Sequence, residues 1–179
     1  MKAFFPKVSA ISSAQKLLRL CLVLFLLAAC TQQPAADRSN RNQERMKQFY
    51  DQLVNAHNAA MTDSFFHADV KDHVGTDETV VGSAELKKGF ETFFAAFPDA
   101  HLEQHAYLGS GDTLAVQLTM TGTNTGPLRG LPPTNKAIHI DGIAVFAWKD
   151  GKITERWRYF DDMLMMQQLG LAPQPPKGE

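Results

Sequence analysis

Apolar positions along the chain follow two different periods. Between Asn40 and Ala60, Met46, Phe49, Tyr50, Leu53, Val54 and His57 recur at helical intervals, which predicts an amphipathic helix to about Ala60. Asn40 and Gln43 have capping-box spacing and would open it. A short helical turn around Asp63 to His67 follows. Ser83 is a good N-cap with Glu85 in the first turn, and Leu86, Phe90, Phe93, Phe94 and Phe97 mark one apolar face of a second helix that Pro98 ends. So aromatic a face is read first as core packing against a sheet. From Ala100 onward the period shortens to two, and four strands are predicted at about 101–108, 113–124, 136–148 and 152–160. Gly109-Ser110-Gly111-Asp112 and Asp150-Gly151 supply the turns, the second a strong hairpin signal. Met163, Leu164, Met166 and Leu169 then predict a last short helix stopped by Gly170. Helices first and antiparallel strands afterwards define an α+β domain with the sheet curled around the helices.

The first 29 residues do not belong to that pattern. Lys2, Lys7, Lys16 and Arg19 stand there without an acidic residue, and the apolar run Leu20 to Ala29 follows directly. That is the order of a secretory leader. The run is too short to span roughly 30 Å of hydrocarbon as a helix, which takes about 20 apolar residues. Leu27-Ala28-Ala29-Cys30 resembles the lipobox of bacterial lipoproteins, in which the cysteine sulfur is acylated before cleavage. An ordinary signal peptide that happens to end at a cysteine is the alternative. Thr31 rather than Asp follows Cys30, so the resemblance implies a lipid anchor in the outer membrane facing the periplasm; a Gram-positive host would hold it on its single membrane. The expected organisation is a leader over 1–29, a flexible tether over 30–40, one domain over 41–172 and a flexible tail over 173–179.

Removing the leader changes the charge. It carries four of the 18 basic side chains and none of the 19 acidic ones, leaving 14 against 19 and a formal charge of −5. With no basic stripe, nucleic acid is not an expected partner. Cys21 leaves with the leader, and Cys30 alone cannot form an internal disulfide, so stability has to come from a core. No nucleophile elbow, phosphate loop or dinucleotide fingerprint is present. His101 and His105, four apart on a strand, stand about 13 Å from each other at roughly 3.3 Å per residue, too far to share an ion. Neither metal nor cofactor is expected.

On the last strand, counting by twos puts Ile153, Glu155, Trp157, Tyr159 and Asp161 on one face and Lys152, Thr154, Arg156 and Arg158 on the other. The second set reads as the solvent face. Asp161 would then point inward beside two aromatic rings, where desolvation makes a carboxylate a better base. Equally, it could cap the helix that starts beside it. His67 and His73 are read with equal weight as pocket or surface residues.

Several short stretches, taken in order, carry a resemblance. Phe97-Pro98-Asp99, Gly111-Asp112, Gly122-Thr123, Gly130-x-Pro132-Pro133-Thr134, Asp150-Gly151-Lys152-Ile153-x-Glu155-x-Trp157, Asp161 and Gln168-Leu169-Gly170 resemble the signature of SnoaL-like polyketide cyclases over about residues 46–172. The resemblance implies the nuclear transport factor 2-like cone, a strongly bent sheet and helices around an apolar pocket. It also implies cofactor-independent acid/base chemistry, an intramolecular aldol closure or an isomerisation of a carbonyl-rich or cyclic apolar compound. Asp161 would be the acid/base, assisted by Tyr159 or His73. Trp157, Tyr107, Phe94, Met120 and Ile143 would line the pocket, and copies would associate through the outer sheet face into a homo-oligomer. The pattern departs from the family at Tyr159, where the characterised cyclases have histidine, at Asn124 after Gly122-Thr123, and at Asn135, where glycine usually follows Pro-Pro-Thr. A lipid-anchored module that only binds a hydrophobic molecule, and a structural envelope protein, are the other readings.

Overall fold

The computed structural model describes residues 34–75, 78–128 and 130–173. The expected leader, the expected lipid-anchor position Cys30 and the tail from residue 174 lie outside the described residues. Among those described, no helix is long and apolar enough to cross a membrane.

Helix α1 (Ala35–Phe49) starts directly after Pro34, so residues 35–40 are helix rather than tether. Asn40 and Gln43 lie within it and cap nothing. The early start has a tertiary cause: Arg38 Nε bonds the Asp112 carboxylate at 3.0 Å and the Asn42 amide donates to the Gly111 carbonyl at 3.3 Å. Both contacts pin the first turns to the loop between two strands. The helix ends in a π turn (Tyr50–Val54), so it stops short of the predicted Ala60. Such wide turns occur frequently at functional sites. Met46, Phe49, Tyr50, Leu53 and Val54 are buried as their spacing requires. Phe49 is the hub of the core, with the rings of Tyr50, Phe65, Phe66, Phe90 and Phe146 at 4.9–6.3 Å in edge-on geometry.

After a single turn, α2 (Thr62–Phe65), come two strands the apolar pattern did not announce, β1 (Phe66–Val74) and β2 (Glu78–Val81). Helix α3 (Ser83–Ala96) follows; Gly82 rather than Ser83 occupies its N-cap, without a side-chain bond. Then come β3 (His101–Ser110), β4 (Thr113–Thr123), β5 (Ala137–Lys149), β6 (Lys152–Phe160) and α4 (Asp162–Leu169). The sheet order is β2-β1-β6-β5-β4-β3. β1 runs parallel to β6 and every other pairing is antiparallel, so the sheet is mixed. Asp150 and Gly151 have φ of 51° and 77°, the left-handed pair that a two-residue hairpin turn demands.

One irregularity decides what the sheet presents to its interior. Along the β5–β6 ladder Ala147 pairs with Glu155, but Trp148 pairs with Ile153, so Thr154 is an extra residue on β6. A bulge of this kind transfers every later side chain to the opposite face. Ile153 is buried as predicted, but beyond the bulge the inward positions are Arg156, Arg158 and Phe160. Arg156 is only 4% exposed. The expected solvent face is therefore the interior face, and Trp157 and Tyr159 turn outward opposite Val145 and Ile143.

Candidate functional site

A cavity of about 380 Å³ lies between the helices and the inner face of the sheet. Its apolar wall includes Phe90, Phe93 and Phe97, Leu118 and Met120 of β4, and Phe146 of β5. Helical spacing on α3 and strand alternation on β4 and β5 aim these side chains at the same space.

The polar part of the wall was not legible beforehand. β1 and β6 lie side by side with Asp72 opposite Arg156 and Val74 opposite Arg158. Asp72, 1% exposed, accepts four hydrogen bonds. Arg156 donates from Nε to Oδ1 (2.6 Å) and from Nη2 to Oδ2 (2.9 Å). Arg158 donates from Nε to Oδ1 (3.2 Å) and from Nη2 to Oδ2 (2.8 Å). Burial alone would push the Asp72 carboxyl up, but the charge and hydrogen bonds of Arg156, joined by those of Arg158, outweigh it and hold the group well below the usual carboxylate range. Asp72 is thus a fixed anion and a poor base. The Arg156 guanidinium also lies 5.3 Å from the ring centres of both Phe66 and Phe90. Burial, then the nearby Arg156 charge, pull Arg158 down, while Asp72 and Glu78 oppose them.

Tyr50, from the π turn, completes this wall. Its ring is 2% exposed and its hydroxyl makes no hydrogen bond to the described residues. Burial pushes its phenol well up, with Arg156 and Arg158 pulling in the other direction, so it stays a neutral donor. Glu78, Glu85 and Asp162 also border the cavity, but all three are exposed and belong to its rim.

The residues predicted to carry chemistry are placed differently. Asp161 is exposed and caps α4, its Oδ1 accepting from the Leu164 amide at 2.8 Å. The capping alternative is the observed geometry, and the burial expected to act on this carboxylate is missing. His73 sits on the outer face, bonded to Thr79 (3.0 Å) and Glu155 (2.8 Å) and stacked on Trp157 at 5.2 Å. Trp157 faces outward for the reason given above, and Ile143 is 49% exposed. Tyr159 borders the cavity, yet it is equally exposed and pairs with Ile143 on the outer face. Phe94 is buried in a stack with His57 and Phe90 rather than in the cavity wall. Tyr107 packs against the core with its hydroxyl 3.4 Å from the Gln104 side chain. Of the apolar contacts expected, Met120 is the one in the wall.

One available signal bore on the missed arginines. Gly142 stands in mid-strand opposite Phe160, and a Cβ there would collide with the Phe160 ring. A glycine in that position calls for a bulky partner on the same face, which makes Phe160 inward and, by alternation, Arg158 and Arg156 with it. Asn124 is also explained. It is fully buried, donates to the Ala96 and Gly126 carbonyls (3.3 and 2.8 Å) and accepts from the Thr134 amide (2.9 Å). It ties down a loop and does not line the cavity. Asn135 takes φ 54°, a left-handed conformation that asparagine tolerates well where glycine is absent.

Residues 44–169 match the family model for SnoaL-like polyketide cyclase. The chain belongs to the SnoaL-like polyketide cyclase family. Among curated relatives of this SnoaL-like chain is the aklanonic acid methyl ester cyclase DnrD of Streptomyces peucetius, 28% identical over 70% of this chain and 91% of that protein. The aklanonic acid methyl ester cyclase DauD of Streptomyces sp. (strain C5) is 28% identical over 70% of this chain and 82% of its own. Among solved structures, a SnoaL-like protein of Jannaschia sp. CCS1 superposes with a TM-score of 0.72 at 19% identity, covering 79% of this chain and 100% of that one. TsrD of Streptomyces laurentii gives a TM-score of 0.66 at 20% identity over 74% and 97%. These structural likenesses speak for the fold, the SnoaL-like α+β architecture expected from the sequence. Among the described residues, no group of three or more His, Cys, Asp or Glu is arranged to hold a metal ion.

Proposed function

We propose that this SnoaL-like protein takes a small, mostly apolar, carbonyl-rich or cyclic compound into the cavity and moves a proton on it without a cofactor, as an aldol cyclase or isomerase does. The observation that carries the reading is that Tyr50, Arg156 and Arg158 all line a cavity whose inner wall is mostly apolar. Enolisation places negative charge on a carbonyl oxygen, and fixed donors in a water-poor site stabilise that charge. Asp161 is the proposed acid/base. It stands at the rim between Phe160 and Asp162, which both line the cavity, and its Oδ2 is not used by the helix cap. The named activity of the two curated relatives supports this chemistry.

A second reading has its own support. Among the described residues the one carboxylate buried in the cavity wall, Asp72, is locked between two guanidiniums, and Asp161 is exposed, which suits a module that binds without turnover. Asp161→Asn separates the two, because asparagine also caps helices and leaves the fold intact. In a soluble form without residues 1–30, a panel of cyclic ketones and β-keto esters is assayed for turnover and for thermal stabilisation. The enzyme reading predicts a loss of roughly 100-fold or more. Unchanged turnover in the variant rules out Asp161 as acid/base, and stabilisation without turnover in both proteins establishes the binding reading.

We propose further that Cys30 carries the lipid that holds the domain in the cell envelope, in the outer membrane facing the periplasm. Copies are proposed to meet through the outer sheet face, where Ile143 and Tyr159, each 49% exposed, form an adjacent apolar pair. Palmitate labelling of wild type and Cys30→Ser checks the first, and light scattering of Ile143→Lys the second.

A further inference from the structure

The buried ion cluster is unbalanced. Two guanidiniums share one carboxylate, so among the described residues this cluster carries a surplus of one positive charge, while most of the remaining inner lining is apolar. Each arginine commits Nε and Nη2 to Asp72, and neither Nη1 has a hydrogen-bond partner among the described residues. The Tyr50 hydroxyl is likewise unpartnered at 2% exposure. These donors open into the cavity and are not sealed in the core, where Trp148 Nε1 is the one side-chain polar atom left without a partner among the described residues. Whatever fills the cavity therefore has to satisfy them, and a surplus positive charge favours an anion there.

We infer that the cavity is built for a monoanionic ligand, an apolar body ending in a carboxylate that sits against Arg158, Arg156 and the Tyr50 hydroxyl. A planar carboxylate accepts from guanidinium N–H groups and a phenol at once and cancels the surplus charge. A neutral ester could accept from the same donors but would leave the charge uncompensated. The rim argues for one negative charge rather than several. Glu78, Glu85 and Asp162 stand there, and like charges would repel a polyanion on entry. Glu85 is already paired with Lys88 at 2.7 Å, and Glu78, whose charge reaches Arg158, is exposed and screened by solvent, so the rim offsets the surplus only in part. The inference rests on the proposal that the cavity is the ligand site, and it adds the class of ligand.

The test is a comparison of acids with their own methyl esters. 2-Naphthoate, 4-phenylbutyrate and octanoate, each beside its ester, are titrated calorimetrically into the wild-type chain, Arg158→Gln, Arg158→Lys and Tyr50→Phe. Wild type should prefer the acid by roughly tenfold to 100-fold, as expected for hydrogen bonds to a charged group. Arg158→Gln should erase most of that preference, Tyr50→Phe should weaken it about threefold to tenfold, and Arg158→Lys, which keeps the charge, should retain it in part. Esters bound as tightly as acids overturn the inference and leave the cavity reading standing. Binding of neither member overturns both. A preference that survives Arg158→Gln puts the carboxylate elsewhere and also overturns it. The wild-type comparison depends on no variant, so a poorly folding substitution does not block the decision.

Discussion

Replacing Asp72 by asparagine is the sharpest perturbation of this structure. The change keeps the shape and one acceptor oxygen, but it removes the only carboxylate among the described residues that Arg156 and Arg158 bond, at 2.6–3.2 Å. Arg156 is 4% exposed and cannot turn to water. Removing one partner of a buried ion pair costs about 3–5 kcal/mol, chiefly because the other charge stays buried and unpaired. A domain is stabilised by roughly 5–15 kcal/mol in all, so Asp72→Asn should consume a large part of the margin. At roughly 2–4 °C per kcal/mol for a domain of this size, Tm should fall on the order of 6–20 °C. Arg158→Met should cost less, since Arg158 is partly exposed and Asp72 keeps Arg156. Urea unfolding of the single variants and of the Asp72→Asn, Arg156→Met double variant gives the coupling directly. A change below about 1 kcal/mol for Asp72→Asn would refute the claim that this cluster is a tightly coupled buried unit.

The same carboxylate sets a pH dependence. Its folded value is held below the ordinary 3.8, so its contribution is present in full above about pH 4 and is lost as pH falls further; the stability gap between wild type and Asp72→Asn should narrow only below about pH 4 in urea titrations. Asn124→Leu leaves the Gly126 carbonyl and the Thr134 amide without their partner, while the Ala96 carbonyl keeps the Thr125 and Gly126 amides, and should cost about 2–4 kcal/mol, measured by chemical denaturation. Gly142→Ala drives a Cβ into the Phe160 ring and should cost about 1–3 kcal/mol by overpacking, with a changed near-ultraviolet spectrum. Asp161→Ala loses the α4 cap and about 1 kcal/mol, whereas Asp161→Asn should unfold at nearly the wild-type temperature.

The long apolar elements could be read from the chain because their periodicity and their burial agree. Helix α3, strands β3 to β6, the Asp150-Gly151 turn and the Gly170 stop all lie within a few residues of their expected places. What could not be read depends on contacts between distant segments. β1 looks polar because one of its buried positions is Asp72, which only β6 can neutralise. The start of α1 is set by bonds from Arg38 and Asn42 to a loop some seventy residues on. The bulge at Thr154 leaves no mark in an alternating pattern, yet it exchanges the two faces of β6. That one residue is why counting by twos puts Trp157 inside and Arg156 and Arg158 in water.

Two methionines in the wall allow the ligand site to be observed without assuming any reaction. Met120 and Met165 line the cavity, whereas Met163 is 62% exposed on the same helix as Met165 and is not part of the wall. In a methyl-labelled sample titrated with the naphthoate pair, the Met120 and Met165 resonances should shift together and saturably while Met163 stays in place. Saturable binding that moves Met163 and leaves Met120 and Met165 untouched would show that the ligand sits outside this cavity.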